Sequence, residues 1–329
     1  MRRREFIALI GGTAAWSVAA RAQQTDEVRH IGVLFVTGEK VPVAAARKKA
    51  LQQGLQSLGW IEGKNLQLDY RFGDGDIKRI ERHAADLLQS NPDVILAQGV
   101  LGAQSMQQVT RSLPVVFVQV ADPVGGGFVA TLARPGGNMT GFTDAEYSMS
   151  GKWLEVLKEI APRVARVLVL LSPGNTARWT GYFEALQAAA PVAGVELIAG
   201  ALQSRDDISR SIERFAKTPE PGLLVPPDAI TTEHQQMIFE LANRYRLPAV
   251  YPYRFWADAG GLLSYGSDTV DQFRQAASYI DRILKGSRPA DLPVQATVKF
   301  ELALNMKAAK AIGLDVPPRL LARADEVIE

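Results

Sequence analysis

The sequence predicts an α/β protein of two doubly wound parallel-sheet lobes joined by a three-strand hinge, on three observations. Short apolar runs rich in β-branched residues alternate with longer segments of helical period, the pattern of parallel sheets covered by helices. That series is built twice, with a turn-rich stretch between the copies. Further strand-like and helical pieces then follow the second series, which suggests that the chain returns to lobe one and crosses again.

Ahead of the first lobe, residues 1–22 read as an export signal. Arg2, Arg3 and Arg4 precede an apolar run to Ala20, and Ala20-Arg21-Ala22 offers small residues around a cut near Ala22. Arg3-Arg4 followed by Phe6 fits a twin-arginine address. The apolar run is interrupted by Thr13 and Ser17 and falls short of the ~20 residues that span a bilayer, which disfavours an anchor. A periplasmic protein starting near Gln23 is expected. Its composition, 47% hydrophobic and 22% charged, suits a globular chain of about two domains.

In lobe one, residues 30–36 (HIGVLFV) form a buried strand, and residues 43–58 a helix ended by Gly59. Residues 66–72 alternate as a strand, 77–89 are helical, 93–97 form strand three, 104–111 lie on a helix, and 114–120 form strand four. Asp122-Pro123, the glycines at 125–127 and the run from Arg134 to Asn138 read as a crossover. The second series has helices over 151–160, 177–190, 206–217 and 232–245, with strands over 166–171, 195–199, 222–225 and 248–251. A strand over 261–265, a helix over 270–284, a strand over 298–304 and a helix over 305–312 complete the chain. The expected division is 26–140 plus 256–287 for lobe one and 141–255 plus 288–329 for lobe two.

Charge and composition exclude several functions. The chain carries +2 and residues 1–22 carry four Arg and one Glu, so the remainder stands at +2 − 3 = −1, unlike a nucleic-acid surface. With no cysteine there is no disulfide, thiol nucleophile or zinc-thiolate site. His30, His83 and His234 are dispersed, and no His-Glu-x-x-His, Gly-x-Ser-x-Gly or Walker motif occurs, so neither catalysis nor a metal or other cofactor is expected.

Longer motifs carry a resemblance. Gly54-Leu55 with Leu58-Gly59-Trp60 and Glu62-Gly63-Lys64-Asn65, then Asp122-Pro123-Val124, then Ala133 to Asn138 with Thr140-Gly141, resemble the ABC-transporter substrate-binding proteins of the tryptophan/tyrosine-uptake type. So do Gly260-Gly261 with Ser264-Tyr265-Gly266, Ile283 to Gly286 with Pro289 to Pro293, and Phe300-Glu301-Leu302 through Arg323-Ala324-Asp325-Glu326. The resemblance implies a type I periplasmic-binding-protein fold, a small ligand held between the lobes, and a membrane permease of an ABC importer as partner of a monomeric protein. Two segments depart from the family pattern, Gly99 to Ala103 after strand three and Pro293 to Thr297. A periplasmic sensor and an exported enzyme are the alternatives.

In an open parallel sheet, ligands bind beyond the carboxyl ends of strands near the reversal of strand order. This selects Thr37 after strand one, Gln98, Gly99 and Val100 after strand three, and Gln119 and Asp122 after strand four. The uncharged turn from Gln98 to Gln104 is either an anion cradle at a helix N-terminus or an ordinary strand-to-helix turn. Asp122 holds a ligand amine or simply opens a turn. Ser172, Asn175 and Asp228 take the equivalent places in lobe two, where Ser172 and Asn175 also suit helix capping. Phe142 and Tyr253 belong to aromatic clusters near the crossovers that stack on a ligand or pack the hinge. The expected ligand is an amino acid or related small carboxylate.

Overall fold

The structure is a computed structural model and describes residues 28–144, 147–172, 176–297 and 300–329. The expected export signal and Asn175 lie outside the described residues. Five parallel strands build the first sheet: β1 (Arg29–Phe35), β2 (Leu66–Phe72), β3 (Val94–Gln98), β4 (Val115–Val120) and β5 (Met139–Thr143), in the order β2-β1-β3-β4-β5. The second sheet holds β6 (Arg166–Leu171), β7 (Glu196–Ala201), β8 (Pro221–Leu224), β9 (Ala249–Tyr251), β10 (Leu263–Ser267), β11 (Phe300–Asn305) and β12 (Glu326–Ile328), in the order β12-β11-β10-β9-β8-β6-β7. The central strands β1, β3, β4 and β6 are buried almost throughout, which is why they read as continuous apolar runs.

Helices start where the local chemistry satisfies their free N–H groups. Asp76 accepts from Arg79 N ahead of helix Ile77–Gln89, Ser204 from Asp207 N ahead of Arg205–Phe215, and Asp268 from Val270 N and Asp271 N ahead of Thr269–Leu284. Helix Thr269–Leu284 belongs to the first lobe, where it lies against helix Pro42–Ser57. Their close approach depends on Gly54, because a Cβ there would sit 2.8 Å from both Ala277 Cβ and Arg274 O.

The chain crosses between lobes three times, at positions that differ from those expected. Residues 122–138 stay with lobe one and lead into β5, so the first crossing runs from Asp144 to Tyr147. Strand β10 pairs with β9 in the second sheet, so the return crossing lies at Asp268 and not near residue 256. Segment 288–295 remains on lobe one, held by Thr140 Oγ1 on Leu292 O (2.6 Å) and Gln295 N on Gly141 O (2.9 Å), so the third crossing runs from Thr297 to Phe300. Having entered from the hinge, β11 starts where β10 ends and pairs with it antiparallel, the exception in an otherwise parallel sheet. Helix Gly99–Val109 also begins earlier than residue 104, and the helix expected over 232–245 is divided at His234 into Ala229–Glu233 and Gln235–Arg244.

Candidate functional site

Both sheets reverse strand order at one point, and both points contribute to a single seat. In lobe one the reversal falls between β1 and β3, in lobe two between β6 and β8, each leaving a crevice at the strand tips. The crevices are closed alike. Gln98 Oε1 accepts from Val36 N beyond β1 (3.2 Å), and Asp228 Oδ2 accepts from Ser172 N beyond β6 (3.1 Å).

A cavity of about 30 Å3 lies between them, lined by Val36, Thr37, Arg47, Gln98, Gly99 and Gln119 of lobe one and by Pro227, Asp228, Ala229, Thr232 and Tyr253 of lobe two. Six of the residues selected from sequence thus meet there: Thr37, Gln98, Gly99, Gln119, Asp228 and Tyr253. A wider cleft of about 640 Å3 shares the Asp228 and Ala229 walls and adds Asp74, Leu101, Ser172 and His234.

The other selected residues stand apart from the seat. Val100 packs in the lobe-one core, and Ser172 lines the wider cleft. Asp122 Oδ1 accepts from Gly125 N (2.8 Å), the bond of a turn opener, and lines a separate cavity with Tyr147. Phe142 on β5 is buried against Tyr279, ring centroids 4.9 Å apart.

A local distortion presents Gln119. Strand β4 carries one extra residue between Phe117 and Val120, and Gln119 takes a left-handed φ of 60° at that bulge. Its Oε1 accepts from Gln98 Nε2 (3.0 Å) and its N–H donates to Gln272 Oε1 (3.0 Å).

Arg47 was not foreseen. It replaces an apolar residue in the buried stripe Val43, Arg47, Ala50, Leu51, Gly54 and Leu55, and that interruption was the available signal. Arg47 is 1% exposed, and its guanidinium donates from Nη2 to Thr269 Oγ1 (3.2 Å) and has its carbon 5.5 Å and 5.7 Å from the ring centroids of Phe255 and Phe273. Burial lowers its pKa to about 10 against the opposing pull of Tyr253 and Asp144, so it is charged at neutral pH. Asp144, itself buried at the first crossing, accepts from Tyr253 Oη and from Ser267 Oγ (2.6 Å).

At the mouth the lobes also meet through a hydrogen bond from Gly38 N to Glu233 Oε1. Burial raises the Glu233 carboxyl above its usual range and nearby Asp74 adds to this, while the Gly38 N–H opposes. Among the described residues no cluster of three or more His, Cys, Asp or Glu could hold a metal ion, and no helix is long and apolar enough to cross a membrane.

Two α/β lobes whose strand tips share one polar seat define a two-lobed solute-binding protein. More narrowly, the chain belongs to the ABC transporter substrate binding protein family, whose model matches residues 31–328. It is similar to the tyrosine-binding protein of Clostridioides difficile (strain R20291), 23% identical over 269 residues that make up 81% of this chain and 76% of that one. Two solved structures resemble it, each over 92% of this chain and 100% of the other. They are a conserved domain protein from Vibrio cholerae (28% identity, TM-score 0.85) and an ABC domain from Streptococcus pneumoniae in complex with L-Trp (26% identity, TM-score 0.83). The type I periplasmic-binding-protein fold implied by the sequence motifs is the fold present.

Proposed function

We propose that this chain is the extracytoplasmic solute-binding component of an ABC importer, that it holds an amino acid or related small carboxylate between its lobes, and that it delivers it to a membrane permease. The observation that carries this reading is the seat itself, where both strand-order reversals, one guanidinium and one carboxylate converge. Relatives that bind tyrosine or L-Trp support an amino acid with an aromatic side chain.

A seat of about 30 Å3 is far below the ~300–1,000 Å3 of usual ligand pockets, so a solute fills it only when the lobes part. Parting them breaks the Gly38–Glu233 contact and withdraws Ala229 from the lobe-one core. A ligand touching both lobes then selects the closed form by its higher affinity for it. Titration with L-tryptophan and L-tyrosine tests the reading: a ligand at ~100 times its dissociation constant adds ~2.7 kcal/mol to stability. Small-angle scattering should contract in parallel. An unchanged scattering profile with the ligand tightly bound would rule out closure.

A further inference from the structure

Arg47 is a charge that its own protein leaves incompletely served. Nη2 has Thr269 as partner, while Nε and Nη1 are buried without a protein hydrogen-bond partner. The nearby carboxylate, Asp144, is engaged by Tyr253 and Ser267 and acts on Arg47 at longer range. Among the described residues Arg47 makes no ion pair, whereas buried charges are ordinarily paired. The same cavity is bordered by Gly99, where an 11-residue helix begins and its free N–H groups favour an anion.

We infer that Arg47 receives the carboxylate of the bound solute, with the Gly99 helix start as the second wall of that subsite. Two donor nitrogens, a dry location and an adjoining helix N-terminus are what a carboxylate group needs. Phe255 and Phe273 hold the guanidinium from its sides, and Thr269 fixes one nitrogen, so little side-chain freedom is lost on binding. Asp228 brings a carboxylate to the cavity from the other lobe, where its oxygens accept from Ser172 N and Ile230 N. The ligand class is therefore a zwitterion whose anionic end lies on lobe one and whose cationic end faces lobe two. This inference rests on the amino-acid reading of the cleft.

Calorimetric titration of the full chain and of Arg47→Lys and Arg47→Met with L-tryptophan, L-tyrosine, tryptamine and tyramine tests it. Wild type is expected to bind the amino acids about 100-fold or more tighter than the amines, which lack the carboxylate. Arg47→Met should lose that preference while melting at or above the wild-type temperature, since an apolar replacement of a poorly paired buried charge is often neutral or stabilising. Arg47→Lys should keep part of it. Amines that bind wild type as well as their parents overturn the assignment without any variant, as does an Arg47→Met protein that keeps the amino-acid affinity within about threefold. Failure of wild type to bind any of the four probes is a different result: it removes the amino-acid reading, and the Arg47 subsite with it.

Discussion

Replacing Gln119 by glycine should harm this protein less than replacing it by alanine, the reverse of the usual order in a strand. Gln119 is 4% exposed and its φ of 60° is a left-handed conformation forced by the bulge in β4. Both replacements remove the Oε1 acceptor of Gln98 Nε2 and leave that buried amide short of a partner, at ~1–3 kcal/mol. Only alanine also keeps a Cβ in the left-handed region. An alanine at positive φ is less stable than glycine by about 1 kcal/mol or more, whereas in an ordinary strand alanine is favoured by ~0.5–1 kcal/mol. Glycine should therefore melt roughly 1–2 °C or more above alanine, and both below wild type. Differential scanning calorimetry of the three proteins decides the matter. Alanine melting at or above glycine would show that the bulge relaxes when the Gln98–Gln119 bond is removed, and the strain argument would fail.

Other outcomes follow from the hinge and the mouth. The Glu233 carboxyl has its pKa raised above 4.5 when the lobes are together, so the closed form holds its proton more tightly than a solvated glutamate does. Closure is then fully supported below 4.5 and loses support as pH rises through the raised value. Ligand affinity should increase as pH is lowered from neutral toward 4.5, and Glu233→Gln should flatten the profile. A slope that survives Glu233→Gln would assign the effect elsewhere. Tyr253→Phe takes a donor from buried Asp144 and should cost roughly 1–3 kcal/mol in calorimetry, with an unshifted melting temperature counting against that role.

The two-lobed plan was legible because nearly every central strand is an uninterrupted apolar run and the run–helix rhythm repeats. Lobe boundaries were less so, because the strand read over 261–265 and the segment 288–295 are assigned to a lobe only by their partners, β9 and β5. Gly141 in β5 and Gly266 in β10 look like turn residues, yet each is required inside a strand by close backbone approach. A Cβ at Gly141 would lie 1.9 Å from Phe117 O, and one at Gly266 would lie 1.7 Å from Pro252 O. The helix start at Gly99 was hidden by the glycines at 99 and 102, which read as a turn. Thr37, Gln98, Gly99, Gln119 and Asp228 followed from the rule that ligands sit beyond strand ends, which needs only strand order. Arg47 did not follow, because its burial depends on Thr269, Phe255 and Phe273, more than 200 residues away in sequence.

Apolar contacts hold each lobe together, whereas polar contacts dominate where the lobes join. Among the described residues, two hydrophobic clusters lie in each lobe, and the buried members that reach into the other lobe's cluster are the alanines Ala121 and Ala229. A buried methylene is worth ~0.8 kcal/mol, so two methyl groups add little apolar resistance to opening. Hydrogen bonds occupy the hinge instead. Gln272 accepts from Gln119 N and donates to Thr143 O (3.0 Å) and Thr297 Oγ1 (2.9 Å), joining a seat residue to the first and third crossings. Ser267, at the end of β10, and Tyr253 both donate to Asp144 on the first crossing, which brings in the second. Buried polar groups of this kind are costly unless satisfied, and satisfied they fix geometry more sharply than apolar contact does. The crossings are thereby tied to Gln119 and Tyr253, two residues of the seat. On the proposed reading, in which the lobes part to admit a solute, a ligand that touches both lobes shifts the balance by its higher affinity for the closed form.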